Sequence, residues 1–294
     1  GLREGADTPG AVLITSSLML GVYTIVKPAA DYGWGSGRTL LFGAGSLLLL
    51  ALFLVRESTA AKPLIPLRIF RSRNMSGANL IQMLLVAGMF GMFFLGSLYL
   101  ERVLGYDALE IGLAFLPTTL VMGTLSLRFA EPLIMRFGAR RTLIPGLVLI
   151  AAGLLLFARM PVDGSYLTDV LPALIVVALG IGSSFPALMT LAMSGATRED
   201  AGLASGLVNT SAQVGGALGL AVLATLSATR SDNLIADGVA RASALTSGYH
   251  LAFIVGAALV GAALVIAIAV LKPPESQAQP AGEPGREPAY SETA

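Results

Sequence analysis

Charged residues divide this sequence into long apolar stretches. Cutting the chain at every Asp, Glu, Lys and Arg leaves eight uncharged runs of at least 17 residues, at 8–26, 39–55, 74–100, 111–127, 142–158, 170–197, 201–229 and 242–271. As helices rising about 1.5 Å per residue, runs of this length cross a hydrocarbon layer of about 30 Å. Lipid offers no hydrogen-bond partner to a backbone amide, and no run shows the short alternation of a membrane strand. The pattern predicts an all-α membrane protein with eight transmembrane helices.

Composition excludes a water-soluble globular protein. Hydrophobic residues make up 55% of the 294 positions and charged residues 13%, which is about half of the usual quarter. Too little polar surface remains to cover an exterior in contact with water, so the lipid bilayer is the expected solvent. The chain contains no Cys, which excludes a disulfide framework and thiol chemistry.

The distribution of basic residues predicts an orientation. If the N-terminus of the chain lies inside, the inner segments carry 13 of the 19 Lys and Arg residues and the outer segments carry 6. Basic residues are enriched in the cytoplasmic loops of membrane proteins. We therefore expect both ends of the chain to lie in the cytoplasm.

The eight runs fall into an isolated pair and a group of six. Residues 1–55 contain the pair, and residues 74–271 contain six spans, the number in one half of many secondary transporters. Between them, residues 56–73 predict an amphipathic basic linker on the inner membrane surface, with a solvated basic loop as the alternative. Residues 272–294 are rich in Pro, Glu, Ser and Gln and are expected to form a disordered cytoplasmic tail. The opening residues include no initiator Met, so we expect a piece of a longer protein.

Three segments carry a resemblance to a known family. The run GLASGLVNTSAQVGGALGLAVLATL, residues 202–226, resembles the penultimate span of the fourteen-span drug:proton antiporters of the major facilitator superfamily. The segments LYLERVLGYDALEIGLAFLP (98–117) and PLIPLRIFRSRN (63–74) resemble a span connection and the central linker of that family. The resemblance implies that spans one and two are the central inserted pair of linker helices. Spans three to eight would form the six-helix C-terminal half, with an N-terminal six-span half missing.

The same resemblance implies a function. It points to a bacterial cell-membrane transporter that exports hydrophobic or cationic drugs or antibiotics by alternating access, coupled to protons. The expected partners are the lipid bilayer, a hydrophobic small-molecule substrate, protons and the missing half. Two alternatives stay open: an importer of a small nutrient, and a membrane scaffold or sensor that transports nothing.

The inner loop EPLIMRFGARRTL, residues 131–143, resembles a decayed copy of the basic loop motif GxxxDRxGRR of that superfamily. Met135 stands where the motif has its Asp, which removes the usual charge relay. The loop arginines either anchor the topology or contribute to a gate, and Arg128 and Glu131 are close enough in sequence to pair. The residues of this cytoplasmic basic loop are Arg128, Glu131, Arg136, Gly138, Arg140 and Arg141.

Polar and aromatic positions on four spans form a candidate substrate cavity. On span seven, Ser205, Asn209 and Gln213 are four residues apart and share a helix face. A carboxamide facing lipid is costly, so this face must meet the bundle or a water-filled path. Span three combines two carboxamides with an adaptable Met and Phe wall. Hydrogen bonding or packing between helices is the alternative for both. The predicted cavity residues are Asn79, Gln82, Met83, Phe90, Phe93, Thr118, Ser183, Ser205, Asn209 and Gln213.

Prolines and glycines within the spans predict bends and close helix contacts. Pro117 interrupts span four, and Pro186 follows a Gly- and Ser-rich stretch in span six. Irregular helices near mid-depth are where transporters bind substrate. Small residues spaced four apart let helix backbones approach closely. The predicted bend or packing residues are Pro117, Pro186, Gly202, Gly206, Gly215 and Gly219.

The sequence offers no set of residues for catalysis. The single His, His250, lies at the outer start of span eight, and the chain has no metal-ligand cluster and no GxxxxGK[ST] phosphate-binding motif. We therefore predict no enzyme activity, no cofactor, no metal and no nucleic acid partner. No Asp or Glu lies deep within a span, so the proton-relay residue is expected in the missing half.

Overall fold

The computed structural model describes residues 7–60, 72–194 and 201–272. All regular elements in these ranges are helical. Two π-helical turns, at Leu125–Phe129 and Tyr166–Val170, occur within this described part. The α-helices are α1 Thr8–Val26, α2 Pro28–Tyr32, α3 Gly37–Thr59, α4 Arg73–Arg102, α5 Ala108–Thr124, α6 Ala130–Phe137, α7 Ala139–Phe157, α8 Leu171–Met193, α9 Ala201–Ala236 and α10 Arg241–Ala269.

Eight of the helical segments in the described ranges are long and apolar enough to cross a membrane. They are α1, α3, α4, the continuous stretch Ala108–Phe137, α7, the stretch Tyr166–Met193, α9 and α10. These segments coincide with the eight uncharged runs. The prediction of an all-α membrane protein with eight spans is confirmed.

Local side-chain chemistry fixes where several helices begin. Ser36 and Ser72 accept hydrogen bonds from the backbone amides of the first turns of α3 and α4. At the start of α5, Asp107 accepts from the backbone amide of Glu110 at 2.8 Å, and Glu110 accepts from the amide of Asp107 at 2.9 Å. Such a reciprocal capping box satisfies two backbone donors that the helix itself leaves unpaired.

The first two spans form a hairpin held by polar contacts. The hydroxyl of Ser17 donates to the carbonyl of Ser46 at 2.8 Å, and that of Ser46 donates to the carbonyl of Ser17 at 2.9 Å. At the predicted inner end, Arg56 of α3 forms an ion pair with Asp7, the N-cap of α1, with Nη2 to Oδ1 at 3.0 Å. The hydrogen bonds from Arg56 hold the pKa of Asp7 below its usual range.

Spans three to eight form a bundle with α4 at its centre. Helix α4 contacts α8, α9 and α10, and α7 packs against α8 and α10. Ile81 and Leu85 of α4 are fully buried, and the rings of Phe157 and Phe253 lie 5.3 Å apart between α7 and α10. The hairpin touches this bundle where α1 meets α9. The outward faces carry exposed apolar side chains, as expected when the surrounding solvent is lipid.

Parts of the predicted domain organisation lie outside the described residues. The structure describes neither 61–71, which form most of the predicted basic linker 56–73, nor 273–294 of the predicted tail 272–294. Helix α3 extends to Thr59, beyond the predicted end of the first pair at residue 55. The domain boundaries stay predictions.

Candidate functional site

The two carboxamides of α4 point into the bundle. Asn79 and Gln82 are each 4% exposed. The Nδ2 group of Asn79 donates to the carbonyl of Met75 at 2.9 Å, and the hydroxyl of Ser211 on α9 donates to Oδ1 of Asn79 at 2.8 Å. The amide of Asn79 therefore links α4 to α9 at a buried position.

The three polar residues of α9 that were predicted to line the cavity point away from the bundle. Ser205, Asn209 and Gln213 are all exposed, and none of them hydrogen-bonds to any residue within 7–60, 72–194 or 201–272. Gly202 and Gly206 lie beside them, with open space where a side chain would project. The prediction that the three polar residues share one face agrees with this placement, but the six-helix bundle does not cover that face.

The other two glycines of α9 lie against α4. A Cβ atom on Gly215 would collide with the backbone of Met83, and one on Gly219 would collide with Ala87. Only glycine permits so close an approach of the two helices. Two of the four predicted packing glycines thus contact α4, whereas Gly202 and Gly206 make no such contact with the described part of the chain.

A cavity of about 520 Å³ opens between α4, α5 and α8. Phe93 is the predicted cavity residue that lines it, and its ring lies 5.5 Å from that of Phe115. We call this space the Met–Phe cavity. Its lining residues are Met89, Phe93, Met122, Gly123, Ser126, Leu127, Ile181 and Phe185.

Sequence reasoning missed most of the Met–Phe cavity, including Ile181 and Phe185 of α8. Helix α5 continues through Pro117 as far as Thr124, and the irregular geometry follows in the π-helical turn Leu125–Phe129. Ser126 and Leu127 of that turn line the cavity. A π-helical turn departs from the period of about 3.6 residues of an α-helix, so that period does not predict where Ser126 and Leu127 point.

The remaining predicted cavity residues are dispersed. Met83 lies at the contact with Gly215, and the exposed ring of Phe90 lies against Gly216. Thr118 is buried, and its hydroxyl has no hydrogen-bond partner among the described residues. Ser183 donates to the carbonyl of Leu179 at 3.0 Å and lines a second cavity.

This second cavity, of about 470 Å³, lies beside the inner basic loop. We call it the Arg141 cavity, because Arg141 is the one candidate residue of the predicted basic loop among the described residues that line it. The residues lining the Arg141 cavity are Leu125, Leu133, Phe137, Arg141, Thr142, Pro145, Gly146, Leu149, Leu179 and Ser183.

Pro186, a predicted bend residue, lies within the continuous helix α8. Its carbonyl accepts a hydrogen bond from the hydroxyl of Thr190 at 2.9 Å.

Two other loop residues, Gly138 and Arg140, lie at helix ends. Gly138, with φ of 86°, separates α6 from α7 in a conformation that favours glycine. Arg140 donates to the carbonyls of Ala267 at 3.2 Å and Ile268 at 2.6 Å, at the C-terminal end of α10. A cation there complements the negative end of the helix dipole.

The guanidinium of Arg136 lies 5.3 Å from the ring centre of Phe137. Arg128 and Glu131 are both exposed and form no ion pair with any residue in the described ranges. The pairing of these two residues suggested by their spacing is therefore not observed.

Comparisons with known proteins agree with this architecture. Residues 9–220 match the family described as Major Facilitator Superfamily. Cephamycin export protein CmcT of Amycolatopsis lactamdurans is 36% identical over 275 residues, which cover 92% of this chain and 53% of that protein. Puromycin resistance protein pur8 of Streptomyces alboniger is 34% identical over 75% of this chain and 44% of its own length. The tetracenomycin C resistance and export protein of Streptomyces glaucescens is also 34% identical, over 75% of this chain and 40% of its own length. The chain thus spans about half the length of the curated relatives it matches.

Proposed function

Because the chain belongs to the major facilitator superfamily and is a multi-pass membrane protein, we propose that it is part of a bacterial efflux transporter. Its substrates are bulky hydrophobic or cationic compounds of the antibiotic class, moved by alternating access in exchange for protons. The relatives that export cephamycin and tetracenomycin C or give resistance to puromycin support this substrate class.

The Met–Phe cavity carries the proposal. Its volume of about 520 Å³ lies within the range of roughly 300–1,000 Å³ typical of small-molecule sites. Met89 and Met122 are flexible and polarisable, so they adapt to ligands of different shape. Phe93 and Phe185 supply aromatic faces, which attract apolar rings and cations. Such a wall recognises bulk and hydrophobicity rather than one fixed pattern of polar groups.

The same wall argues against import of a small nutrient. Polar solutes are held by several convergent hydrogen-bonding groups. Ser126 contributes the one side-chain hydroxyl among the described residues that line the Met–Phe cavity. A polar nutrient bound there would lose its hydration without regaining enough hydrogen bonds, so we favour a hydrophobic substrate.

A second transmembrane bundle is part of the proposal. Asn209 and Gln213 lie on an exposed face of a membrane helix, where contact with acyl chains would leave their amides unpaired. We propose that this face meets a further six-span half or a water-filled path between the halves. That half would also supply the carboxylate that binds the coupling proton, and both ends of the present chain would lie in the cytoplasm.

The proposal is tested by Phe93→Ala in the natural gene product. We expect efflux of ethidium from cells to fall about fivefold, which corresponds to losing about 1 kcal/mol of ligand contact. Phe42→Ala is the matched control, because Phe42 is also half-buried and also has one aromatic neighbour, Tyr23, at 5.5 Å. Equal efflux in the two variants, at equal membrane abundance, would remove the Met–Phe cavity from the transport path.

A further inference from the structure

The Arg141 cavity differs in character from the Met–Phe cavity. It lies where the π-helical turn, α6, α7 and α8 meet, on the side of the membrane that the basic residues predict to be cytoplasmic. Its walls are hydrocarbon, with Leu133, Leu149 and Leu179 contributed by three different segments. Among the described residues that line it, Arg141 alone carries a charge.

The guanidinium of Arg141 has no partner among the residues that the structure describes. It forms no ion pair and no hydrogen bond with any residue in 7–60, 72–194 or 201–272. Its neighbour Arg140 donates from Nε and Nη2 to the carbonyls of Ala267 and Ile268 at the end of α10. A guanidinium presents five donors in a planar fork that matches carboxylate and phosphate oxygens, so Arg141 is available to an anion at the membrane surface.

The described residues inside the Arg141 cavity offer no further side-chain donor to an anion. The hydroxyl of Thr142 donates to the carbonyl of Gly138 at 3.1 Å, and that of Ser183 donates to the carbonyl of Leu179. The donor hydrogens of both hydroxyls are thereby used within the protein. A small inorganic anion would leave the apolar space unfilled, and a hydrophobic cation would be repelled by Arg141. The surface fits an amphiphile with an anionic head and a hydrocarbon chain.

We propose that the Arg141 cavity binds an anionic phospholipid of the inner leaflet, with its phosphate on Arg141 and part of one acyl chain between α6, α7 and α8. Arginines near the inner boundary of a membrane meet lipid phosphates at this depth. The lipid would join the inner basic loop to the bundle without contacting the Met–Phe cavity. The inference is independent of the transported substrate.

The test measures lipid retention by the delipidated natural gene product in native mass spectrometry. Phosphatidylglycerol and phosphatidylcholine with identical acyl chains are added separately. We expect the anionic lipid to be retained about tenfold more strongly, the effect of one charge-assisted contact, and Arg141→Gln to abolish this difference. Arg128→Gln is the matched control, because Arg128 is exposed, unpaired within the described residues and absent from the wall of the cavity.

Two further measurements distinguish binding of the lipid headgroup from binding of its acyl chain. Leu149→Trp should fill the apolar space and lower retention of both lipids while the protein stays monodisperse. Inorganic phosphate at the same concentration should not displace phosphatidylglycerol. Equal retention of the two lipids by the unmodified protein would overturn the proposal. So would an Arg141→Gln variant that keeps the preference, an Arg128→Gln variant that alone loses it, or displacement by phosphate.

Discussion

Two sets of polar side chains with similar chemistry occupy opposite environments in this bundle. Asn79 and Gln82 of α4 are buried, and Asn79 is hydrogen-bonded to Ser211. Asn209 and Gln213 of α9 are exposed and have no hydrogen-bond partner within the described part of the chain. Asn79 links α4 to α9, whereas Asn209 and Gln213 are available to a substrate or to another bundle. Residue type alone therefore does not predict whether an amide is buried between helices or exposed.

The arrangement of α9 explains the difference. Ser211, Gly215 and Gly219 form one stripe of small residues that faces α4, and Ser205, Asn209 and Gln213 form another, two positions out of step. Two residues correspond to about 200° of rotation around a helix. When the stripe with Gly215 and Gly219 packs against α4, the stripe with Asn209 and Gln213 is therefore turned away from the bundle.

The largest effect is expected from adding a side chain at the close contact between α9 and α4. Gly215→Leu places a side chain against the backbone of Met83, which cannot move without displacing α4. Overpacking of this kind costs about 1–3 kcal/mol or more, so we expect membrane abundance to fall severalfold and the purified protein to aggregate. Size-exclusion chromatography and quantitative immunoblotting measure both outcomes.

Gly206→Leu supplies the matched control for that substitution. The same change on the same helix meets open space in the described structure, so the abundance of this variant should match that of the unmodified protein. Equal losses in both variants would mean that adding a bulky side chain anywhere on α9, rather than contact with α4, sets the effect.

A smaller effect on abundance is expected when the buried amide of Asn79 is removed. Asn79→Leu removes the hydrogen bonds to Met75 and Ser211, and such contacts within membrane bundles are worth about 0.6 kcal/mol and at most about 1.7 kcal/mol each. We expect a moderate loss of thermal stability, with efflux falling in step with abundance. A double-mutant cycle with Ser211→Ala measures the coupling, and additive effects would show that the contact contributes nothing.

The number and type of the spans were predictable because both depend only on the length of uncharged sequence. The orientation of the amides was not, since Asn79 and Asn209 both lie within long uncharged runs of the sequence. Their burial depends on which stripe of α9 meets α4, and both stripes are built from small or polar residues. Ser126 and Leu127 of the Met–Phe cavity were missed for a related reason: the π-helical turn at Leu125–Phe129 has no signature that the hydrophobic pattern reveals.

The smallest effect on abundance is expected when the exposed amide of Asn209 is removed. Asn209→Leu removes no hydrogen bond within the described residues and leaves the contact of Gly215 with α4 unchanged. If the exposed amide face meets a water-filled path or a substrate, efflux should fall while membrane abundance and thermal stability stay constant. Asn209→Gln, which keeps the amide, should restore part of the transport because the hydrogen-bonding group is retained. If abundance falls together with efflux, and Asn209→Gln does not restore either, Asn209 packs against protein in the same way as Asn79. The two sets of amides would then have one role rather than two.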